Sequence, residues 1–298
     1  MTPYPARDER LAIRGGTALP LHERVHIMGV VNVTPDSFSD GGHYLQSDAA
    51  IRHAMVLVEQ GADLLDVGAE SSRPGADPVE EAEELRRLLP VVRELAKRTS
   101  VPISVDTTKA AVAERALDLG ASLINDVSAL QFDPRMAQVV ARSGAGVVLM
   151  HMQGIPKTMQ QRPFYANVVD EVHAFLSDRL YAATQAGIQR EMILIDPGIG
   201  FGKNIEHNLK LLAHLEKLLP LGRPILAGVS RKGFIGAILD RPVDGRLMGT
   251  AAAVAVAIMK GVRMVRVHDV APILDVIKMV EAIVRYQESA SVHNQPAE

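Results

Sequence analysis

The strongest constraint in this sequence is an alternation. Eight short apolar runs, at residues 25–31, 64–67, 103–105, 122–124, 147–150, 193–195, 225–227 and 264–267, are each followed by a helical pattern. Apolar runs of this length bounded by polar punctuation read as strands buried on both faces. The intervening stretches show helical periodicity, as in Ile51, Ala54, Met55 and Val58 behind Ser47 and Asp48 as candidate caps. Asp77–Pro78 and Asp133–Pro134 place a cap and a first-turn proline before two more helices, and Gly144 is positioned to end the second. Further helices are expected over 108–119, 167–186, 205–218, 246–260 and 270–286. Strand then helix, eight times, requires parallel strands with crossover helices. The count of eight favours a single-domain α/β fold, a closed (β/α)8 TIM barrel, over an open doubly wound sheet. The barrel is expected to span residues 21–288, between flexible tails at 1–20 and 289–298.

A barrel of this kind gathers its chemistry at the C-terminal ends of its strands. All eight runs end in polar or ionisable residues: Asn32; Glu70 to Arg73; Asp106; Asn125 and Asp126; His151; Asp196; Ser230 to Lys232; and Arg266, His268 and Asp269. One such end is ordinary turn chemistry, but eight on one rim imply a shared cavity. Two chemistries separate. Asp106, Asn125 and Asp196 directly follow apolar segments, where a carboxylate is costly unless paired or hydrogen-bonded. Such a floor suits a flat heterocycle with N–H donors, for example an aminopyrimidinone. Arg73, Lys232, Arg266 and His268 are cations suited to phosphate oxygens. Asn32 is a neutral oxygen ligand that, with phosphate oxygens and water, could complete a Mg²⁺ site.

Composition narrows the partners. The 298 residues include no cysteine and carry a formal net charge of −3. Neither disulfides nor a general attraction to nucleic acid or anionic membrane is expected. No apolar stretch is long enough for a membrane span, so the chain is read as soluble and cytoplasmic. Two motifs mislead. HERVH at 22–26 matches a zinc pattern that needs a helix but here leads into a strand. GIGFGKN at 198–204 departs from a phosphate-binding P-loop at Pro197 and Asn204. It is read as a tight glycine turn that lets ligand approach backbone. The methionines at 136, 150, 152, 159 and 192 are read as packing.

Taken together, NVTPDSFSDGG at 32–42, ESSRPG at 70–75, SVDT at 104–107, IND at 124–126, LMHM at 149–152, DPGIGFGKN at 196–204, SRK at 230–232 and RVHDV at 266–270 resemble the dihydropteroate synthase family. The resemblance covers about residues 25–286. It implies a transferase that joins a dihydropterin methyl diphosphate to p-aminobenzoate in folate synthesis, releasing pyrophosphate, with Mg²⁺, as a homodimer of a family that sulfonamides target. By position it implies that Asp106, Asn125, Asp196 and Lys232 hold the pterin and Asn32 the Mg²⁺. Ser72, Arg73, Arg266 and His268 would hold the diphosphate. Ser72, Pro74, Phe201, Lys232 and Phe38 would border the aminobenzoate. Asp36, Phe38 and Ser39 would belong to a mobile first loop. Ser72 stands where Thr is frequent in the family, and Ala69 where Gly is frequent. A corrinoid-dependent methyltransferase would share the Asp and Asn floor but lack the diphosphate cations. A non-catalytic pterin carrier would not need the first loop, and a metal-dependent aldolase on the same fold is a weaker alternative.

Phe38 is the one large apolar ring in an otherwise polar loop, costly to leave in water and useful when covered. The loop is expected to close over bound diphosphate and to bring Phe38 to the aminobenzoate site. Phe38→Ala should leave pterin diphosphate binding nearly intact while raising KM for p-aminobenzoate and lowering kcat. Normal kinetics with lowered thermal stability would make Phe38 an anchor instead.

Overall fold

The structure, a computed structural model, describes residues 10–14, 18–33 and 43–293. Asp36, Phe38 and Ser39 lie outside the described residues. An antiparallel hairpin, β1 (Arg10–Ala12) and β2 (Ala18–Pro20), precedes eight parallel strands. These are β3 (His26–Asn32), β4 (Leu64–Gly68), β5 (Ile103–Asp106), β6 (Leu123–Asp126), β7 (Gly146–Met150), β8 (Ile193–Asp196), β9 (Leu226–Ala227) and β10 (Met264–Val267). Their order in the sheet is β8-β7-β6-β5-β4-β3-β10-β9, and a parallel bridge between Ile195 and Ile225 joins the two ends. The strands therefore follow one another round a barrel, as eight right-sized crossovers require, and the open-sheet alternative is excluded.

Nine helices occur among the described residues: α1 (His43–Glu59), α2 (Glu81–Arg98), α3 (Ala110–Asp118), α4 (Met136–Ser143), α5 (Val168–Gln185), α6 (Ile205–Ala213), α7 (Gly233–Leu239), α8 (Leu247–Met259) and α9 (Val270–His293). Several boundaries differ from the sequence reading. α1 begins a turn before Ser47 and Asp48, which lie inside it. α2 starts at Glu81 rather than after Pro78, where Glu81, Glu83 and Glu84 put three carboxylates in the positive first turn. Asp133 caps no helix by itself. It accepts from the backbone N–H of both Ala110 and Arg135, at 3.0 Å each. Gly144 does end α4, at φ 63°. The short α7 is an insertion after β9 that the apolar periodicity did not reveal. No single helix among the described residues is long and apolar enough to cross a membrane.

The first twenty residues are not all loose tail. Leu11, Ile13 and Leu21 are buried against Met28, Leu64, Leu123, Val148, Leu194, Leu226 and Met264. Most of these are the first inward-facing residues of their strands, so the hairpin closes the N-terminal mouth of the barrel. The physical reason is that this layer is apolar and would otherwise face water. At the other end, α9 continues to His293, past the point where the second tail was expected to begin. HERVH spans a turn and the start of β3, so His22 and His26 share no helical face. Leu11 is fully buried. Leu11→Ala should destabilise the protein by about 2–4 kcal/mol in urea unfolding, through lost burial and a cavity, with little change in turnover.

Candidate active site

Asp66, Ser104, Asn125 and Asp196 put polar groups at inward positions above the plug, and Asp66 and Asp106 meet at one arginine. Arg266 on β10 donates from Nε to Asp66 Oδ2 at 2.6 Å and from Nη2 to Asp106 Oδ2 at 2.9 Å. Asp66 on β4 is fully buried and also accepts from Ser104 Oγ at 2.6 Å and from Asn125 Nδ2 at 3.0 Å. A carboxylate only accepts, so Asn125 must turn its NH₂ to Asp66 and its carbonyl oxygen to the cavity. Asp196 accepts the Gly198 N–H on Oδ1 at 2.7 Å, leaving Oδ2 for a ligand. Asp106, Asn125 and Asp196 thus present three acceptors in one pocket, lined also by Ser72, Phe201, Lys232 and Arg266.

Burial pushes the Asp106 and Asp196 carboxyls upward, while Arg266 opposes the shift at Asp106 and the Gly198 hydrogen bond opposes it at Asp196. Burial, helped by Arg266, pushes Lys232 down to about 8. Its Nζ lies 4.0 Å from the centroid of the Phe201 ring, a cation–π contact. Lys232 precedes α7, and the residue before it, Arg231, adopts a left-handed φ of 56°. That reversal sends the Arg231 guanidinium to Asp269, with Nε at 2.9 Å, and leaves Lys232 to the pocket. His268 receives a bond from or gives one to Ser230 Oγ, 3.0 Å from its Nδ1, and burial beside Arg266 pushes its pKa down to about 3. Arg73 is exposed in the loop after β4, close enough for its charge to lower both Lys232 and His268.

Adjoining this pocket is a second cavity of about 370 Å³ that shares Ser72, Asp106 and Val127 with it. Its roof is a clasp between loops: Gly75 N–H donates to Pro156 O at 3.0 Å, and Lys157 pairs with Asp77 at 2.8 Å. Lys109 bridges Glu70 and the fully buried Glu84, anchoring the base of the 70–75 loop.

The structure brings together the residues expected on the floor, Asp106, Asn125, Asp196 and Lys232, with Phe201 and Ser72 beside them. Arg266 stands one layer deeper than expected, because its position in β10 pairs with Met28 rather than with the strand ends. Its Nε and Nη2 are given to Asp66 and Asp106, and the residue also lines the pocket. Asn32 ends β3 opposite Gly68, and no partner holds its amide among the described residues. Asp66 and Ser104 were missed. Their signal was a polar residue in the middle of an apolar run, LLDVG and ISVD, at an inward position of the strand.

Set beside known proteins, the chain matches the model of pterin binding enzymes over residues 28–268. It is 46% identical over 256 residues to the dihydropteroate synthase of Haemophilus influenzae, covering 86% of this chain and 93% of the relative. With that of Escherichia coli it shares 44% over 274 residues, 92% and 96% of the two chains. Among solved structures it is similar to Xanthomonas albilineans dihydropteroate synthase with 4-aminobenzoic acid, with TM-score 0.87, 47% identity and 93% and 98% coverage. It is also similar to the Yersinia pestis enzyme with a sulfonamide drug complex, with TM-score 0.87, 45% identity and 92% and 98% coverage. The chain belongs to the family of pterin-binding enzymes. Within that family it is a dihydropteroate synthase, a transferase of folate biosynthesis, and the methyltransferase, carrier and aldolase readings fall away.

The Asp66–Arg266 pair should be costly to break. Asp66→Ala leaves a buried guanidinium short of one partner and should cost about 3 kcal/mol in urea unfolding, while also weakening pterin binding.

Proposed function

We propose that the floor of three acceptors binds the aminopyrimidinone edge of (7,8-dihydropterin-6-yl)methyl diphosphate, with p-aminobenzoate arriving above it. The observation that carries this is the fixed orientation of Asn125, Asp106 and Asp196. Three buried acceptors match a ring edge rich in N–H donors and penalise one lacking them. Lys232 supplies the complementary donor for a ring acceptor. Arg73, His268 and Ser72 face the diphosphate, with Arg266 contributing charge from below. An anion there would raise the pKa of His268 and favour its protonated, donating form. Ser72, Pro74, Phe201 and Lys232 border the aromatic amine, joined by Phe38 of the first loop. A sulfonamide, as in the Yersinia pestis neighbour, would compete for the same place.

The chemistry follows from these charges. The C–O bond to the diphosphate weakens as cations spread the charge of the leaving group. Positive charge develops on the pterin methylene, and Asp106 and Asp196 stabilise it more than they stabilise the ground state. The neutral aniline nitrogen then attacks and afterwards releases a proton, so no strong general base is required. Asn32 would hold Mg²⁺. No group of three or more His, Cys, Asp or Glu fit to hold a metal occurs among the described residues. An ion held by Asn32 would take its remaining oxygens from the diphosphate and water. When bound, Mg²⁺ neutralises diphosphate charge. Met248 at 77% exposure, with Val256 and Met259 on α8 and Met279 and Ile283 on α9, offers an apolar face for a second copy, a homodimer. The diphosphate substrate is a multiply charged anion that does not cross membranes unaided, which supports a cytoplasmic enzyme.

The test is pyrophosphate release with and without p-aminobenzoate, alongside calorimetry with pyrophosphate and with pterin. Asp106→Asn and Asp196→Asn should each weaken pterin and slow turnover. Arg73→Ala should weaken pyrophosphate about tenfold to a hundredfold, the worth of one charge-assisted contact, and spare pterin. Unchanged pterin affinity and rate in both Asp variants would sink the floor assignment.

A further inference from the structure

Lys203 takes no part in the chemistry above, yet its amino group is buried and fully engaged. Its side chain is 2% exposed as a residue, and its Nζ lies 3.0 Å from Gly198 O, 3.0 Å from Phe201 O and 2.8 Å from His151 Nδ1. His151 O is a fourth acceptor at 3.4 Å, so every N–H of the amino group has a partner. Burial and the neighbouring lysine push the His151 imidazole down to about 3, which keeps it neutral and able to accept. Burial pushes the Lys203 amino group down to about 7, and the Asp196 carboxylate opposes that shift.

The loop it holds cannot relax by ordinary means. Gly198 and Gly202 adopt φ of 65° and 59°, and a Cβ on them would lie 1.8 Å from His151 O and 2.4 Å from Gln153 O. The backbone between them is therefore pressed against the segment after β7. Its other polar groups are met by Asn208, which accepts the Gly200 N–H at 2.7 Å, and Tyr165, which donates to Gly202 O at 2.8 Å. Phe201 sits between two lysines: Lys203 holds its carbonyl from behind, and Lys232 lies over its ring in front.

We infer that Lys203 is a positioning residue for the second substrate: by fixing the carbonyls of Gly198 and Phe201 it holds the Phe201 ring against Lys232, where p-aminobenzoate binds. The inference rests on Phe201 and Lys232 as walls of the aminobenzoate site. Because Asn208 and Tyr165 hold the rest of the loop, loss of Lys203 shifts Phe201 without dissolving the fold. Asp106 and Asn125 of the pterin floor stand on strands and are held by Arg266 and Asp66, away from this loop.

A double-mutant cycle decides it. Lys203→Met, which keeps the chain length and removes the donors, should raise KM for p-aminobenzoate about tenfold, while pterin affinity by calorimetry changes little. Phe201→Ala should raise KM as well. In the Phe201→Ala background, Lys203→Met should add almost nothing, because its effect passes through the ring. If Lys203→Met raises KM equally in both backgrounds, or lowers stability and pterin affinity with KM unchanged, Lys203 is structural and the inference is wrong. If Phe201→Ala leaves KM normal, the aminobenzoate wall itself is misassigned, and the inference goes with it. Should Lys203→Met fail to fold, Lys203→Gln, which retains two N–H donors, carries the same cycle with a smaller expected shift.

Discussion

The active site depends on a guanidinium placed inside a barrel. Arg266 would be prohibitively expensive there alone, and so would Asp66 or Asp106. Together, with Ser104 and Asn125 filling the remaining valences of Asp66, they form a network in which each polar group has a partner. The network does more than tolerate its burial. It dictates which atom of Asn125 faces the ligand and which oxygen of Asp106 is left over, so recognition is fixed before any substrate arrives.

Around that network the barrel is layered by chemistry. The lowest inward layer is apolar and covered by the hairpin, the next is charged and mutually satisfied, and the rim carries loops with exposed Arg73 and the clasp over the larger cavity. The layering follows from alternation along each strand. In β4, Leu64 and Asp66 both point inward, two residues apart and in different layers. The same step separates Met264 and Arg266 in β10.

The strands were legible because a strand buried on both faces has one simple signature, a short apolar run, and eight of them with helices between admit few folds. The floor residues Asp106, Asn125 and Asp196 were legible because each follows such a run directly. Asp66 was not, since it sits within its run and breaks the signature instead of ending it. Helix starts such as Glu81 and His43 were misplaced because a proline or a serine is a local cue, while the true boundary is set by which turn can be packed and charged favourably. The hairpin escaped notice because two three-residue strands carry almost no periodicity. Their reason for existing is an apolar surface formed by residues distant in sequence.

That hairpin separates two faces of the molecule. The mouth where substrates meet lies at the C-terminal ends of the strands, and Leu11 and Ile13 stopper the opposite end. Arg10, the first residue described, therefore lies on the side remote from catalysis. A fluorophore, an affinity handle or a whole fused domain could be attached there with the substrate path left clear. Immobilisation through that face would present every active site outward, toward the solution being sampled.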